Sequence, residues 1–148
     1  MTWKMNGERF DEAPKGYEGF VYLITNTETG KRYIGRKFFY SRRKPPKTKK
    51  NADTKRRRVT KESDWRDYWS SSKILQEEVT TNGQDKYTRE ILVLCKTQGD
   101  CNRMETKLLW MWDVLEDDNF YNDSISNHKR APSHVEEARI WASTFLQE

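Results

Sequence analysis

The stretch Gly19-Phe20-Val21-Tyr22-Leu23-Ile24-Thr25-Asn26-Thr27-Glu28-Thr29-Gly30-Lys31-Arg32-Tyr33-Ile34-Gly35-Arg36-Lys37 decides how this chain folds. Phe20-Val21-Tyr22-Leu23-Ile24 is a β-rich apolar run, and Lys31-Arg32-Tyr33-Ile34-Gly35 is a second, shorter one. The link between them is polar, and its Asn26 and Gly30 accept the positive φ of a tight turn. The pattern predicts a β-hairpin with one tyrosine on each strand, eleven residues apart.

Downstream of the hairpin, Phe38 to Arg43 is expected to form a short helix stopped by Pro45-Pro46, because a residue before proline is pushed out of the α region. Lys47 to Lys61 lacks apolar periodicity and reads as a loop. Asp64-Trp65-Arg66-Asp67-Tyr68-Trp69 is aromatic enough to pack on the domain. Ser70-Ser71-Ser72 offers N-caps for a helix over Lys73 to Asn82, with Gly83 as its stop and Ile74, Leu75 and Val79 as its apolar face. Tyr87 to Cys95 is the third strand, with Ile91 to Leu94 buried.

Asp100 can cap a helix from Cys101 to about Leu115, with Met104, Leu108, Met111, Trp112 and Leu115 along one side. Phe120-Tyr121-Asn122 lies in the turn that follows. Ser133-His134-Val135-Glu136 is a capping-box pattern opening a last helix, with Val135, Ala138, Trp141, Ala142 and Phe145 inward. Upstream, residues 1–18 read as a lead-in on the domain surface. The expected fold is a small α/β (α+β) domain with a three-stranded, mostly antiparallel sheet flanked by helices. It takes in residues 1–148 as one unit, with a core at about 17–125.

Of the 148 residues, 34% are hydrophobic, but 19 are Phe, Tyr or Trp, whose large areas help a small core. No apolar run is long enough to cross a membrane, and two cysteines suit reduced thiols, so a cytoplasmic setting is expected. The net charge of +5 is segregated. Residues 42–61 hold eleven Lys or Arg against one Asp, a local balance of +10; the rest, 17 basic against 22 acidic, sits at −5. Lys44, Lys47, Lys49, Lys50, Lys55, Arg56, Arg57, Arg58 and Lys61 are therefore candidates for gripping the phosphates of a nucleic acid.

The hairpin resembles the paired-tyrosine signature of the GIY-YIG nucleases. Tyr33-Ile34-Gly35 matches the second half letter for letter, and Phe20-Val21-Tyr22 stands as a looser first half. The resemblance implies a catalytic arginine on a short helix after the second tyrosine, which points to Arg43, with Arg36 and Lys37 as rival or auxiliary cations. It implies one metal-binding carboxylate on the helix after the third strand, where Glu105 lies, and an asparagine in the next turn, where Asn122 lies. Ser71-Ser72 resembles a polar stretch between the two halves of such a site. The altered first signature and the basic insertion at about 44–61 depart from the family pattern. Implied with these are Mg²⁺ or Mn²⁺ as cofactor, DNA as partner, and a phage homing-type endonuclease as the relative.

Phosphodiester hydrolysis needs a water nucleophile, stabilisation of an anionic phosphorane-like state and help for the leaving alkoxide. A cation held by Glu105 serves the last two, and an arginine adds a bidentate donor to phosphate oxygens. Tyr22 or Tyr33 would align or deprotonate the water, and Tyr33 is favoured because Gly35 beside it lets backbone approach a phosphate. A free phenol titrates near pH 10, so its phenolate at pH 7 costs roughly 4 kcal/mol. The rival reading is a non-catalytic nucleic-acid-binding module that uses the basic 42–61 arm with Trp65, Tyr68 and Trp69 as stacking surfaces. Cys95, Cys101, His128 and His134 are spaced more widely than usual structural zinc ligands, and buried thiols are expected instead.

Overall fold

The structure, a computed structural model, describes residues 2–43, 47, 59–130 and 135–146. The hairpin forms as expected. Strands β3 (Gly19–Asn26) and β4 (Arg32–Phe38) pair antiparallel around a turn in which Gly30 takes φ 76° and the Asn26 side chain accepts from the Glu28 amide at 3.0 Å; strands β1 (Trp3–Met5), β2 (Glu8–Phe10), β5 (Tyr40–Arg43), β6 (Val59–Glu62) and β7 (Tyr87–Cys95) make up the rest of the main sheet and a side ribbon. The main sheet runs β2-β1-β7-β3-β4, antiparallel except where β1 lies parallel to β7. The mixed α/β class holds, but the sheet has five strands rather than three. The residues read as a lead-in supply two of them, because Trp3, 1% exposed, is a core residue that carries its strand into the sheet.

Alternation along β3 puts Phe20, Tyr22 and Ile24 on one face and Val21 on the other, and each face has its own core. The first face is covered by aromatics, Trp3, Phe39 and Trp65 among them, and by helix α1 (Lys73–Asn82) through Leu75 and Val79. Ser72 caps α1 by accepting from the Leu75 amide, whereas Ile74 points to solvent. The second face is covered by helix α2 (Gln98–Met111) and the chain that follows it, including Val114, Leu115, Phe120 and Ile125.

Three local expectations are corrected. Residues 40–43 form β5, paired antiparallel with β6, and not a helix. A helix of about one turn is unstable alone, and the β-branched pair Val59-Thr60 offers a strand partner from beyond the basic run. The loop read to Lys61 thus ends in strand, and Lys61 stands opposite Ser41. Helix α2 starts at Gln98, capped by Thr97, and stops at Met111 before Asp113 takes φ 50°; its buried residues are Cys101 and Leu109, while Met111 is 63% exposed and Trp112 is exposed too. Last, helix α3 (Val135–Phe145) leaves Trp141 at 63% and Phe145 at 78% exposed, since α2 and residues 114–125 already fill that sheet face. No helix among the described residues is long and apolar enough to cross a membrane.

Candidate active site on the edge strand

Tyr22 on β3 stands opposite Gly35 on β4, and the two tyrosine rings lie 6.2 Å apart, centroid to centroid. A Cβ on Gly35 would fall 2.4 Å from the Tyr22 hydroxyl and 2.8 Å from the Tyr33 ring. The glycine lets two phenols pack over bare backbone. The pairing of β3 with β7 slips between Val21 and Tyr22, a bulge that re-aims the strand at this tyrosine. Tyr22 is only 1% exposed, and Tyr68 closes over it edge-on at 6.1 Å. Tyr33 is half-buried, and its hydroxyl shares a 3.0 Å hydrogen bond with Ser71 Oγ, at the approach to α1.

Burial raises the Tyr22 phenol well above its ordinary pKa, and the neighbouring phenols of Tyr33 and Tyr68 and the carboxylate of Glu105 push the same way. Tyr33 is also raised, by burial first; the Ser71 hydrogen bond opposes the shift, and the Glu105 charge adds to it. Both are therefore neutral phenols at pH 7.

Glu105 sits on α2, which packs against β4, the outer strand of the sheet. Burial raises its pKa, whereas the guanidinium and main chain of Arg36 lower it. Arg36 is held beside α2 by a hydrogen bond from its Nε to Asn102 Oδ1. The cation whose charge acts on Glu105 is thus the one read as a rival. Arg43, expected on a helix, lies exposed on β5. Lys37 stands 4.0 Å over the Tyr68 ring and 2.6 Å from Asp64. Tyr68 and Asp64 were missed as site neighbours because their partners lie on β4, about thirty residues away in sequence, and no local pattern records that.

Asn122 is buried and commits both amide atoms to one residue. Its Oδ1 accepts from the Ile34 amide at 3.0 Å, and its Nδ2 donates to the Ile34 carbonyl at 2.8 Å. With Arg32 donating to Asn119 and Tyr121 donating to Arg32, the turn is laced to β4 like a further strand. The side chain is a clamp between the two tyrosine-bearing turns of chain, not a group presented to solvent.

No cluster of three or more His, Cys, Asp or Glu is placed to hold a metal among the described residues. Cys95 and Cys101 are buried, Cys101 Sγ donates to the Phe20 carbonyl, and His128 packs against Trp110 instead; His134 lies outside the described residues. Of the proposed phosphate-gripping cations, Lys47 and Lys61 are exposed, and Lys44, Lys49, Lys50, Lys55, Arg56, Arg57 and Arg58 lie outside the described residues.

No curated protein and no solved structure matches the chain. Residues 3–125 match one family model, described as "Putative endonuclease segE, GIY-YIG domain". The match takes in β1, the tyrosine hairpin, Glu105 and the Asn122 clamp, and by it the chain belongs to the GIY-YIG endonuclease family.

Proposed function

We propose that this protein is a metal-dependent endonuclease that hydrolyses DNA phosphodiester bonds, of the homing type found in phages. One observation carries the reading: in a GIY-YIG chain, Tyr33 and Arg36 both stand on the outer strand β4, against which α2 packs, and the partly buried Glu105 on α2 is electrostatically linked to both. A lone, partly buried carboxylate beside a guanidinium has no evident use in a protein that only binds DNA. It suits Mg²⁺ or Mn²⁺, hard cations that take one or two protein carboxylates and complete their shell with water and substrate phosphate oxygens.

When bound, the cation supplies Lewis-acid polarisation of the phosphate and offsets charge on the departing alkoxide. Glu105 holds it. Arg36 donates to the phosphate oxygens, with the Lys37 ammonium alongside. Tyr33 orients the water: its oxygen takes the water proton as its own proton passes to Ser71 Oγ and the exposed Ser71 hydroxyl releases its proton to solvent, so the water oxygen bonds to phosphorus, the P–O bond to the leaving strand breaks, and the leaving alkoxide takes a proton from solvent. Tyr22, out of contact with solvent, holds the Tyr33 ring, and Asn122 holds the strand beneath it. The segregated charge of residues 42–61 suits a grip on the DNA backbone.

Supercoiled plasmid incubated with the protein should be converted to open or linear form with Mg²⁺ and remain supercoiled with EDTA. Plasmid that is bound but never cut in any divalent metal would return the protein to the class of binding modules.

A further inference from the structure

Beside the candidate active site, a hollow of about 370 Å³ opens between β4, the β5–β6 ribbon and the start of α2. Its wall carries four cations, Arg36, Lys37, Arg42 and Arg43, and no acidic residue; the rest of the lining is aromatic or neutral polar, Tyr68 and Gln98 among it. Two of the cations are fixed from outside. Arg42 reaches Glu18 with two nitrogens at 2.5 and 2.6 Å, and Glu18 is itself pinned by its amide on the Cys95 carbonyl and its carbonyl on the Phe39 amide. Lys37 is held by Asp64. These pairs fix the cations in position and leave other N–H groups on both free to donate. Arg36 belongs to the hollow and to Glu105 at once, so the two sites are one side chain apart.

We infer that this hollow binds the nucleotide next to the cleaved bond, through the phosphate adjacent to the scissile one on the same strand. The inference rests on the nuclease reading and adds a subsite to it. The chemistry of the wall argues for the occupant: guanidinium forks match phosphate oxygens, and the volume has room for a sugar and a base beside them. The β5–β6 ribbon that forms one side carries the residues on either side of the basic run in sequence.

The test is an NMR titration of the full chain in EDTA with thymidine 3′,5′-bisphosphate, with thymidine and inorganic phosphate as comparisons. The bisphosphate should shift amides of residues 36–37 and 40–43 with saturation. In Arg42→Gln the affinity should fall about tenfold or more, as when one charge-assisted hydrogen bond is lost. Gln98→Glu places a negative charge in the wall while suiting a helix N-terminus, so it should weaken binding equally in a chain that stays folded. Thymidine binding as tightly would overturn phosphate recognition, inorganic phosphate binding as tightly would overturn a nucleotide as occupant, and unchanged affinity in both variants would overturn the site. Because no cleavage is read, a chain that binds the bisphosphate here but leaves plasmid intact refutes the nuclease and leaves the hollow a nucleotide site without a cleaved bond beside it; the reverse refutes the subsite alone.

Discussion

Tyr22 and Gly35 face one another across the β3–β4 ladder so closely that a Cβ on Gly35 would lie 2.4 Å from the Tyr22 hydroxyl and 2.6 Å from its ring carbon Cζ. Neither atom is the end of a flexible chain, because Tyr22 is packed against Trp3 and Tyr68. Gly35→Ala should therefore destabilise the fold by about 1–3 kcal/mol, the usual cost of overpacking a filled core, and displace Tyr33 as well. Urea unfolding checks the first, and loss of plasmid cleavage in the remaining folded protein checks the second. A stable, fully active alanine variant contradicts the packing described here.

Asn122→Ala removes both hydrogen bonds to Ile34 and leaves a buried amide and carbonyl without those partners. An unsatisfied buried group costs about 1–3 kcal/mol. The denaturation midpoint should drop accordingly, and cleavage should fall with it. If activity collapses while stability is untouched, Asn122 acts on the substrate and is not a clamp.

These two relationships show what was legible in the chain and what was not. The hairpin, its turn at Gly30 and the tyrosine–glycine register follow from local alternation, as does the Ser72 cap of α1. The segments that went astray are those whose structure comes from distant partners. Three-residue strand β1 has no period of its own and exists because Lys4 pairs with Glu90 and Trp3 enters the core. Residues 40–43 are strand because of residues 59–62 beyond the basic run. The apolar stripe of α3 was correctly seen as a stripe, but nothing local tells that the sheet face it would cover is already occupied. For the site, the family resemblance pointed to Glu105, whereas the effect of the Arg36 charge on it depends on α2 lying against β4, which no local pattern records.

The effect of Arg36 on Glu105 distinguishes two arginines. Arg36→Ala should lower the single-turnover cleavage rate by orders of magnitude, since it removes the cation beside Glu105. Arg43→Ala, on the exposed ribbon, should mainly weaken binding and raise the protein concentration needed for half-maximal rate. The opposite pattern would move the phosphate contact at the cut to Arg43.

The buried phenol of Tyr22 makes a prediction about alkaline stability. In the unfolded chain tyrosine titrates near pH 10, while in the fold burial raises it well above that. Below pH ~10 the phenol is protonated in both states and the contribution is complete. Above it the unfolded chain ionises first, so stability is lost as pH rises toward the folded value. Tyr121, raised by burial to about 12, acts in the same direction. The urea midpoint should therefore decline steadily from pH 9.5 to pH 11, and less steeply in a Tyr22→Phe variant. A midpoint independent of pH across that range would contradict the burial of this hydroxyl.

In the proposed mechanism one carboxylate, Glu105, holds the metal and so separates cutting from binding. Glu105→Gln keeps the shape of the side chain and removes its charge. Measured by single-turnover cleavage of labelled duplex DNA in Mg²⁺, beside binding of the same DNA in EDTA, the variant should bind within about threefold of the parent chain, an affinity difference under 1 kcal/mol, and cleave at least a hundredfold more slowly. Cleavage at the parent rate would contradict the account and place the metal and the chemistry elsewhere on the molecule.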